Sequence, residues 1–326
     1  MTTLVTGGTG VIGAYVARLL LELGEEVVVT SSRGDATLLG AAAEAVTHER
    51  CDVRDADRMA LLLEQHRPEA LIHLAAALPA LCNESPALAV EINVTASAAL
   101  YEAARRSCVE RFVYASTKSA YGPELPAEHG PPEYRPIPED LPARPVWMYD
   151  ASKYAGELVL GAQRRAGGPE LVSLRFATIY GPGKGGRHGG AAGLSRLIEA
   201  GIRGEEYALE RGGDQVDDVI WVGDAADGIV RAARGGGPLA LLYNIATGTG
   251  IAVRDFAAAV AAEYPAASFE IGPGLHYMGE QPTYGVLDIT RAREDLGFRP
   301  DPGPARGVRL YAEGLAELER AARSSR

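Results

Sequence analysis

The chain has 326 residues, of which 47% are hydrophobic and 23% are charged, a composition typical of a globular enzyme with a large core. Its formal net charge is −11, because 43 acidic side chains outnumber the 32 Lys and Arg. This acidic balance argues against nucleic acid or an anionic membrane surface as the main partner.

The first half of the chain alternates short apolar runs with longer amphipathic stretches. Apolar, β-branched runs predict strands over residues 3–6, 26–30, 70–74 and 111–116, with later strands over 171–176 and 241–245. Apolar side chains at three- and four-residue spacing predict helices over 11–23, 55–66 and 85–107. Strands that alternate with helices indicate right-handed βαβ crossovers and a parallel sheet, hence the α/β class.

A glycine-rich turn, TGGTGVIG at residues 6–13, lies between the first predicted strand and the first predicted helix. Gly7 permits a tight turn, Gly10 lets backbone N–H groups approach a pyrophosphate, and Gly13 lets the helix pack on the strand. The helix N-terminus would face the anion. The turn therefore predicts a dinucleotide cofactor, with contacts from Gly7, Thr9, Gly10, Val11, Ile12 and Gly13.

The end of the second predicted strand bears on which nicotinamide cofactor binds. NAD enzymes usually place an acidic residue there for the ribose 2′-hydroxyl. This chain has Ser31, Ser32 and Arg33 instead, and two hydroxyls with a guanidinium suit a 2′-phosphate better. We therefore favour NADP, while NAD with a merely solvated Arg33 stays the alternative.

Two stretches interrupt the alternation of strands and helices. Eight prolines between Gly122 and Met148 exclude a continuous helix and predict an ordered loop. Residues 183–193 contain six glycines and form either a lid over a ligand or an ordinary surface loop.

Tyr149 and Lys153 are four residues apart at the start of a predicted helix and so share one face. We expect the ammonium, together with an oxidised nicotinamide, to lower the pKa of the phenol so that it exchanges a proton with substrate. Ser116 and Thr117 end a predicted strand whose carboxyl end should meet the same crevice. Either hydroxyl could bind the substrate oxygen.

The three cysteines, Cys51, Cys82 and Cys108, are far apart and show no zinc-ligand spacing. Neither a disulfide framework nor a metal site is therefore predicted. No basic and apolar leader precedes the first strand, and no run of about 18 apolar residues occurs. We expect a cytoplasmic protein that does not span a membrane.

Seven motifs together resemble the NAD-dependent epimerase/dehydratase family, the extended branch of the short-chain dehydrogenases that includes UDP-glucose 4-epimerase. The motifs are TGGTGVIG at 6–13, CDV at 51–53, HLAAA at 73–77, NV at 93–94, VYASTKSAYG at 113–122, YDASK at 149–153 and LRFATIYGPG at 174–183. The resemblance implies a Rossmann-type, doubly wound parallel sheet with a smaller C-terminal substrate lobe. It implies a nucleotide-binding domain of residues 1–177 plus about 219–262, and a substrate lobe of about 178–218 plus 263–326.

The resemblance also implies roles for individual residues. Thr117 would be the hydroxyl of a catalytic set with Tyr149 and Lys153. The further cofactor contacts would be Asp52 and Val53 at the adenine, Leu74, Ala75, Ala76 and Asn93 along the cofactor, and Phe176 near the nicotinamide. Family members commonly form homodimers through helices that match residues 85–107 and 150–166.

Several positions depart from the family pattern. Lys118 and Ser119 stand where 4,6-dehydratases carry acids, so dehydration is not expected. Nucleotide-sugar epimerases contact diphosphate through an Asn and two Arg, whereas this chain has Thr178, Asp217 and the arginine-free stretch 276–280. An acid in place of a guanidinium would repel a phosphate.

Three functions follow, of which we favour the first. It is an NAD(P)-dependent dehydrogenase or reductase acting on a secondary alcohol or ketone of a sugar-like or natural-product substrate. The second is a nucleotide-sugar 4-epimerase with a non-standard diphosphate site supplied by Lys184, Arg187 or His188. The third, a non-catalytic cofactor sensor, is disfavoured by the intact catalytic set. The candidate substrate contacts are Thr117, Thr178, Arg187 and His188.

Overall fold

A computed structural model of the chain describes residues 1–107, 109–185, 192–279, 283–301 and 303–324. The strands are β1 Thr2–Thr6, β2 Glu26–Ser31, β3 Thr47–Arg50, β4 Ala70–His73, β5 Arg111–Thr117, β6 Glu170–Phe176, β7 Thr178–Tyr180, β8 Glu206–Leu209, β9 Val216–Trp221, β10 Leu242–Ile245, β11 Gly250–Ala252 and β12 Ser268–Ile271. The α-helices are α1 Val11–Glu22, α2 Ala56–His66, α3 Pro79–Glu84, α4 Pro86–Val90, α5 Ser97–Arg105, α6 Met148–Arg165, α7 Gly193–Arg203, α8 Val222–Arg234, α9 Val253–Glu263, α10 Thr290–Asp295 and α11 Pro304–Ser324.

Seven strands form one parallel sheet in the order β10-β6-β5-β4-β1-β2-β3. The chain winds outward from β1 in one direction and then, from β4, in the other. This is the doubly wound, Rossmann-type topology expected from the sequence. Ligands of such sheets bind beyond the carboxyl ends of the strands at the switch point, here between β1 and β4.

Both faces of this sheet are covered, which explains the nearly continuous apolar runs of its strands. On β1, the adjacent residues Leu4 and Val5 are both fully buried but belong to two different hydrophobic clusters. Val5 packs with Ala17 of α1 and with α8, whereas Leu4 packs with Leu63 of α2 and with α5. Strands buried on both sides fix the sheet between two helical layers.

The predicted helices over 11–23 and 55–66 are confirmed as α1 and α2. Asp55 caps α2 by accepting a hydrogen bond from the backbone N–H of Arg58. The single helix predicted over 85–107 is instead α4, a π-helical turn at Glu91–Ala96, and α5. The π-helical turn contains buried Asn93, and such turns are frequent at functional sites.

Two smaller sheets lie outside the strands predicted from sequence. One has the order β11-β9-β7 and the other pairs β12 with β8. The domain boundary expected at residues 218–219 falls within β9, and the division into two domains stays a prediction. In the described part of the chain, no helix is long and apolar enough to cross a membrane.

Candidate active site

The glycine-rich turn after β1 is built so that side chains could not replace two of its glycines. Gly7 has φ +67°, and a Cβ there would lie 2.9 Å from the backbone N of Ala75. A Cβ on Gly13 would lie 2.4 Å from the carbonyl oxygen of Gly7. Gly10 precedes α1, whose first turn receives no side-chain cap. The first-turn N–H groups of α1 are therefore available to an anion, as a pyrophosphate cradle requires.

A second arginine, Arg50, lies close to the end of β2 in addition to Arg33. Ser31 Oγ lies 2.8 Å from His48 Nε2, while Ser32 and Arg33 are exposed. Arg50, the last residue of β3, donates from Nε to the Ser32 carbonyl oxygen at 3.4 Å. Sequence reasoning missed Arg50 because the short, half-polar β3 has no clear apolar pattern. Two guanidiniums therefore adjoin the position where NAD enzymes usually carry an acid.

The predicted adenine contacts occupy the turn after β3. Arg54 contacts the Asp52 carboxylate from both its side chain, at 2.8 Å, and its backbone N–H, at 3.0 Å. These hydrogen bonds hold the pKa of Asp52 below its ordinary value. Val53 is buried in the cluster that contains Leu4. The turn therefore lies beside the end of β2, where Cys51 N donates to the Ser31 carbonyl, and contact of Asp52 and Val53 with adenine stays a prediction.

A buried histidine not identified from the sequence joins the strands on either side of the switch point. His73, the last residue of β4, lies 2.6 Å from Thr6 Oγ1 through Nδ1 and 2.9 Å from Ser97 Oγ through Nε2. Burial, with a smaller effect of the Lys153 charge, lowers the pKa of His73 to about 3. The neutral ring therefore fixes β4 to β1 and α5. The HLAAA motif was the available signal, but its His was assigned no role.

The loop after β4 carries the predicted cofactor contacts Leu74, Ala75 and Ala76. Asn93 holds the end of this loop, because its side chain bonds both the N–H and the carbonyl of Ala77, at 2.8 and 3.2 Å. Its amide also donates to Ser152 Oγ at 2.9 Å, and Ser152 donates to the Tyr149 carbonyl. Asn93 therefore links the loop after β4 to α6, and its own contact with a cofactor stays a prediction.

Lys153 is buried in the second turn of α6. Its Nζ lies 4.1 Å from the centroid of the Tyr114 ring, and the Tyr114 hydroxyl donates to the Lys153 carbonyl at 3.3 Å. Burial lowers the pKa of Lys153 to about 7, an effect opposed by the Glu157 carboxylate. The ammonium therefore titrates near neutrality.

Tyr149 is half-buried one turn before Lys153. Burial raises the pKa of its phenol, and the charges of Asp150 and Cys82 raise it further. The expected lowering of the Tyr149 pKa is therefore not found in the protein alone. The reason is that withdrawal of the phenolate from water and the neighbouring negative charges both disfavour ionisation.

The two candidate hydroxyls at the end of β5 have different partners. Ser116 Oγ donates to the carboxylate of Glu157, which also pairs with Arg175 at 2.7 Å. Ser116 is therefore committed to an internal ion pair. Thr117 Oγ1 instead lies 3.2 Å from Ser119 Oγ, at the carboxyl edge of the sheet. Of the two hydroxyls, Thr117 is therefore the one that is not engaged by an ion pair, and it stays the candidate for substrate contact.

Asp150 is a further ionisable group beside this set that sequence reasoning missed. It is buried and hydrogen bonds with Ser119, which connects the start of α6 to Thr117 at the end of β5. Burial raises the pKa of Asp150 to about 7. Thr117, Tyr149 and Lys153 are therefore brought to one edge of the sheet, with a protonatable carboxyl next to the phenol.

The departures from the family pattern meet in one cluster. Lys118 Nζ forms a buried ion pair with Asp217, and Thr178 Oγ1 donates to the same carboxylate at 2.7 Å. Tyr277, from the arginine-free stretch, donates to it at 3.1 Å. The residues that depart from the family pattern therefore contact one another, and the charge of Asp217 is compensated by Lys118, Thr178 and Tyr277.

The remaining candidates lie at the same edge or outside the described residues. Phe176 is buried and pairs with Thr117 in the register of β5 and β6. Lys184 is buried, and its Nζ donates to the Ile179 carbonyl. Arg187 and His188 lie outside the described residues, as does most of the stretch 183–193. Among the described residues, no group of His, Cys, Asp and Glu could hold a metal ion.

Comparison with known proteins gives one consistent result. Residues 3–246 match the model of the NAD dependent epimerase/dehydratase family. The UDP-glucose 4-epimerase of Mycolicibacterium smegmatis is 33% identical, with 96% of this chain and 98% of the relative covered. The Streptomyces lividans UDP-glucose 4-epimerase is 32% identical, with 91% of each covered.

Solved structures agree with the sequence comparisons. The Thermotoga maritima UDP-glucose 4-epimerase with UDP-glucose has a TM-score of 0.82 at 27% identity and covers 98% of this chain and 100% of that one. The Thermus thermophilus UDP-glucose 4-epimerase in complex with NAD has a TM-score of 0.81 at 30% identity and covers 97% and 99%. With its doubly wound sheet and the Tyr149/Lys153 pair at the sheet edge, this chain is an enzyme that belongs to the NAD-dependent epimerase/dehydratase family.

Proposed function

We propose that the protein is an NAD-dependent 4-epimerase of a nucleotide sugar. The observation that carries the proposal is the convergence of Thr117 with Tyr149 and Lys153 at the carboxyl edge of the sheet. The relatives named above, UDP-glucose 4-epimerases that match nearly the whole chain, support this alternative over the dehydrogenase that we favoured from sequence. The substrate contacts assigned to Thr117 and Thr178 belong to the same proposal.

The residues at the edge fit a dinucleotide, because the turn after β1 is packed too closely for side chains at Gly7 and Gly13 and the first N–H groups of α1 have no side-chain cap. When bound, the nicotinamide would supply the acceptor and donor of a hydride. The glycine turn, the loop 74–76 and Phe176 would hold it. Asp52 and Val53 would contact its adenine.

Proton transfer would be the task of Tyr149. Its Oη would take the proton of the sugar hydroxyl, and Thr117 Oγ1 would orient the same sugar oxygen by a hydrogen bond. The Lys153 ammonium would stabilise the phenolate electrostatically. Return of the proton from Tyr149, after the sugar has presented its other face to the cofactor, would complete the epimerisation without net oxidation.

A direct test is incubation of the NAD-loaded protein with UDP-galactose, with UDP-glucose detected by a coupled dehydrogenase. We expect UDP-glucose to accumulate while 340 nm absorbance of the epimerase alone stays below one equivalent of reduced cofactor. Stoichiometric reduction of the oxidised cofactor by a free sugar, or stoichiometric oxidation of the reduced cofactor by a ketone, with no conversion of any nucleotide sugar, would restore the dehydrogenase hypothesis.

For the cofactor, we propose NAD and no longer favour NADP. The T. thermophilus relative is in complex with NAD, which supports this choice. The exposed Arg33 and the neighbouring Arg50 leave NADP binding as the alternative, because each could pair with a 2′-phosphate. Calorimetric titration of the cofactor-stripped protein with NAD and NADP separates the two.

We further propose a homodimer formed through the helices within residues 85–107 and 150–166. Val90 and Leu158, which are 43% and 56% exposed, place large apolar side chains on these helices. The division into a nucleotide-binding domain and a substrate lobe, and the cytoplasmic location, stay predictions.

A further inference from the structure

The carboxylate of Asp217 is fully buried at the meeting point of four separate segments of the chain. Two of its contacts come from side-chain hydroxyls, two from backbone N–H groups and one from an ammonium. The donors are Lys118 Nζ, Thr178 Oγ1 at 2.7 Å, Asp218 N at 3.1 Å, Tyr277 OH at 3.1 Å and Gly285 N at 3.5 Å. We call these five donors the anion cradle.

The chemistry of the anion cradle suits any small anion with several oxygens. An ammonium, hydroxyls and peptide N–H groups are the donors that bind phosphate and carboxylate groups in proteins. Both oxygens of Asp217 are used, Oδ1 by Lys118 and Oδ2 by Thr178 and Tyr277. The five donors therefore form an anion site, and the carboxylate of Asp217 occupies it.

The location of the anion cradle connects it to substrate. Lys118 follows Thr117 directly, beyond the carboxyl end of β5, and Thr178 begins β7 just after Phe176. These are the ends at which an open parallel sheet binds its ligands. A charged group of a ligand that reached past Thr117 would therefore meet the anion cradle.

Electrostatics make Asp217 difficult to displace. Lys118 is only 5% exposed and Asp217 is 0% exposed, so separation of the pair would leave a buried charge uncompensated. Lys184 adds a second buried amine, whose pKa is lowered to about 8 by burial and by the charge of Lys118. An anion at the position of Asp217 is therefore required to balance the local positive charge.

We infer that Asp217 is a built-in anion that determines substrate specificity by closing the anion cradle to a phosphate or carboxylate group of the ligand. A ligand group that lies against the anion cradle therefore cannot be a phosphate or a carboxylate. If a nucleotide sugar is the substrate, as proposed above, its diphosphate binds outside the anion cradle. The inference goes beyond the proposed function and does not depend on it.

The test is anion binding by the full-length, cofactor-loaded protein. Asp217→Ala should bind formate or inorganic phosphate at least about tenfold more tightly than the wild type in calorimetric titration, because Lys118 then lacks its counter-charge. The double variant Lys118→Met/Asp217→Ala should lose this gain. Asp227→Ala, a surface variant with the same change in net charge, should not show it.

A folded Asp217→Ala that gains neither formate nor phosphate binding overturns the inference, as does a gain equal to that of Asp227→Ala. If Asp217→Ala does not fold, Asp217→Ser also removes the charge, and its smaller side chain leaves space among the donors. Formate or phosphate should then raise its melting temperature more than that of the wild type, and equal shifts overturn the inference. Conversion of UDP-galactose by the wild type is measured separately, so failure of the proposed function leaves this result intact.

Discussion

The substitution Asp150→Asn should change the pH dependence of stability in a direction fixed by the structure. Asp150 is 6% exposed, and burial raises its pKa from 3.8 to about 7. Because the folded pKa is the higher one, the unfolded chain loses this proton first, and stability falls as pH rises from about 4 to 7. The difference corresponds to roughly 4 kcal/mol above pH 7, as an order of magnitude.

Asn cannot ionise, so the variant should lack this loss. We expect urea unfolding to show that Asp150→Asn gains roughly 2–3 kcal/mol relative to wild type between pH 5 and pH 8. His73 and Lys153 titrate in both proteins, so their contributions cancel in the difference. Asp140→Asn, at an exposed position, is the matched control and should show no such gain. Parallel stability curves for Asp150→Asn and wild type would refute the reasoning.

Three further substitutions test the site and the assembly. Tyr149→Phe should lower turnover about 10²- to 10⁴-fold with an unchanged circular dichroism spectrum, because it removes the proton-transferring hydroxyl. Arg33→Ala should weaken NADP binding more than NAD binding in calorimetric titration, because only NADP offers a 2′-phosphate. Leu158→Asp should convert a dimer to a monomer in light scattering after gel filtration, because it places a charge in an apolar interface.

Matched variants identify the results that would contradict these predictions. Tyr154→Phe removes a hydroxyl from the same helix, so an equal loss of turnover would remove the special role of Tyr149. Equal weakening of both cofactors by Arg33→Ala would contradict a 2′-phosphate contact. Leu61, on α2, is 55% exposed, almost as much as Leu158 at 56%. Loss of the dimer in Leu61→Asp as well would point to general destabilisation.

Local sequence patterns were sufficient for most of the seven-stranded parallel sheet. The turn at residues 6–13 and the apolar runs of β1, β2, β4, β5 and β6 have signals within a few residues, because hydrogen bonding and burial there follow a short period. Two strands without such a signal have half-polar sequences: Thr-His-Glu-Arg in β3, at the edge of the seven-stranded sheet, and Glu-Tyr-Ala-Leu in β8, in one of the smaller sheets. Their partners, not their own residues, make them strands.

The candidate site likewise has some residues that a local motif identifies and other properties that depend on tertiary contacts. Tyr149 and Lys153 could be identified from their spacing, but the direction of the Tyr149 pKa shift could not, because it depends on how much of the phenol is buried. His73 and Asp150 lie within the HLAAA and YDASK motifs, but neither motif reveals their burial or their contacts with residues distant in sequence.

The sequence by itself determined the family and the parallel sheet, and it made Tyr149 and Lys153 the candidate catalytic pair, because each rests on a contiguous motif or a helical spacing. It also showed that Lys118, Thr178 and Asp217 depart from the family pattern, but not that they compensate one another. Only the tertiary structure brought residues 99 positions apart into one ion pair. A buried charge is stable only with its partner, and that partner is chosen by the packing of strands, which no local stretch of sequence records.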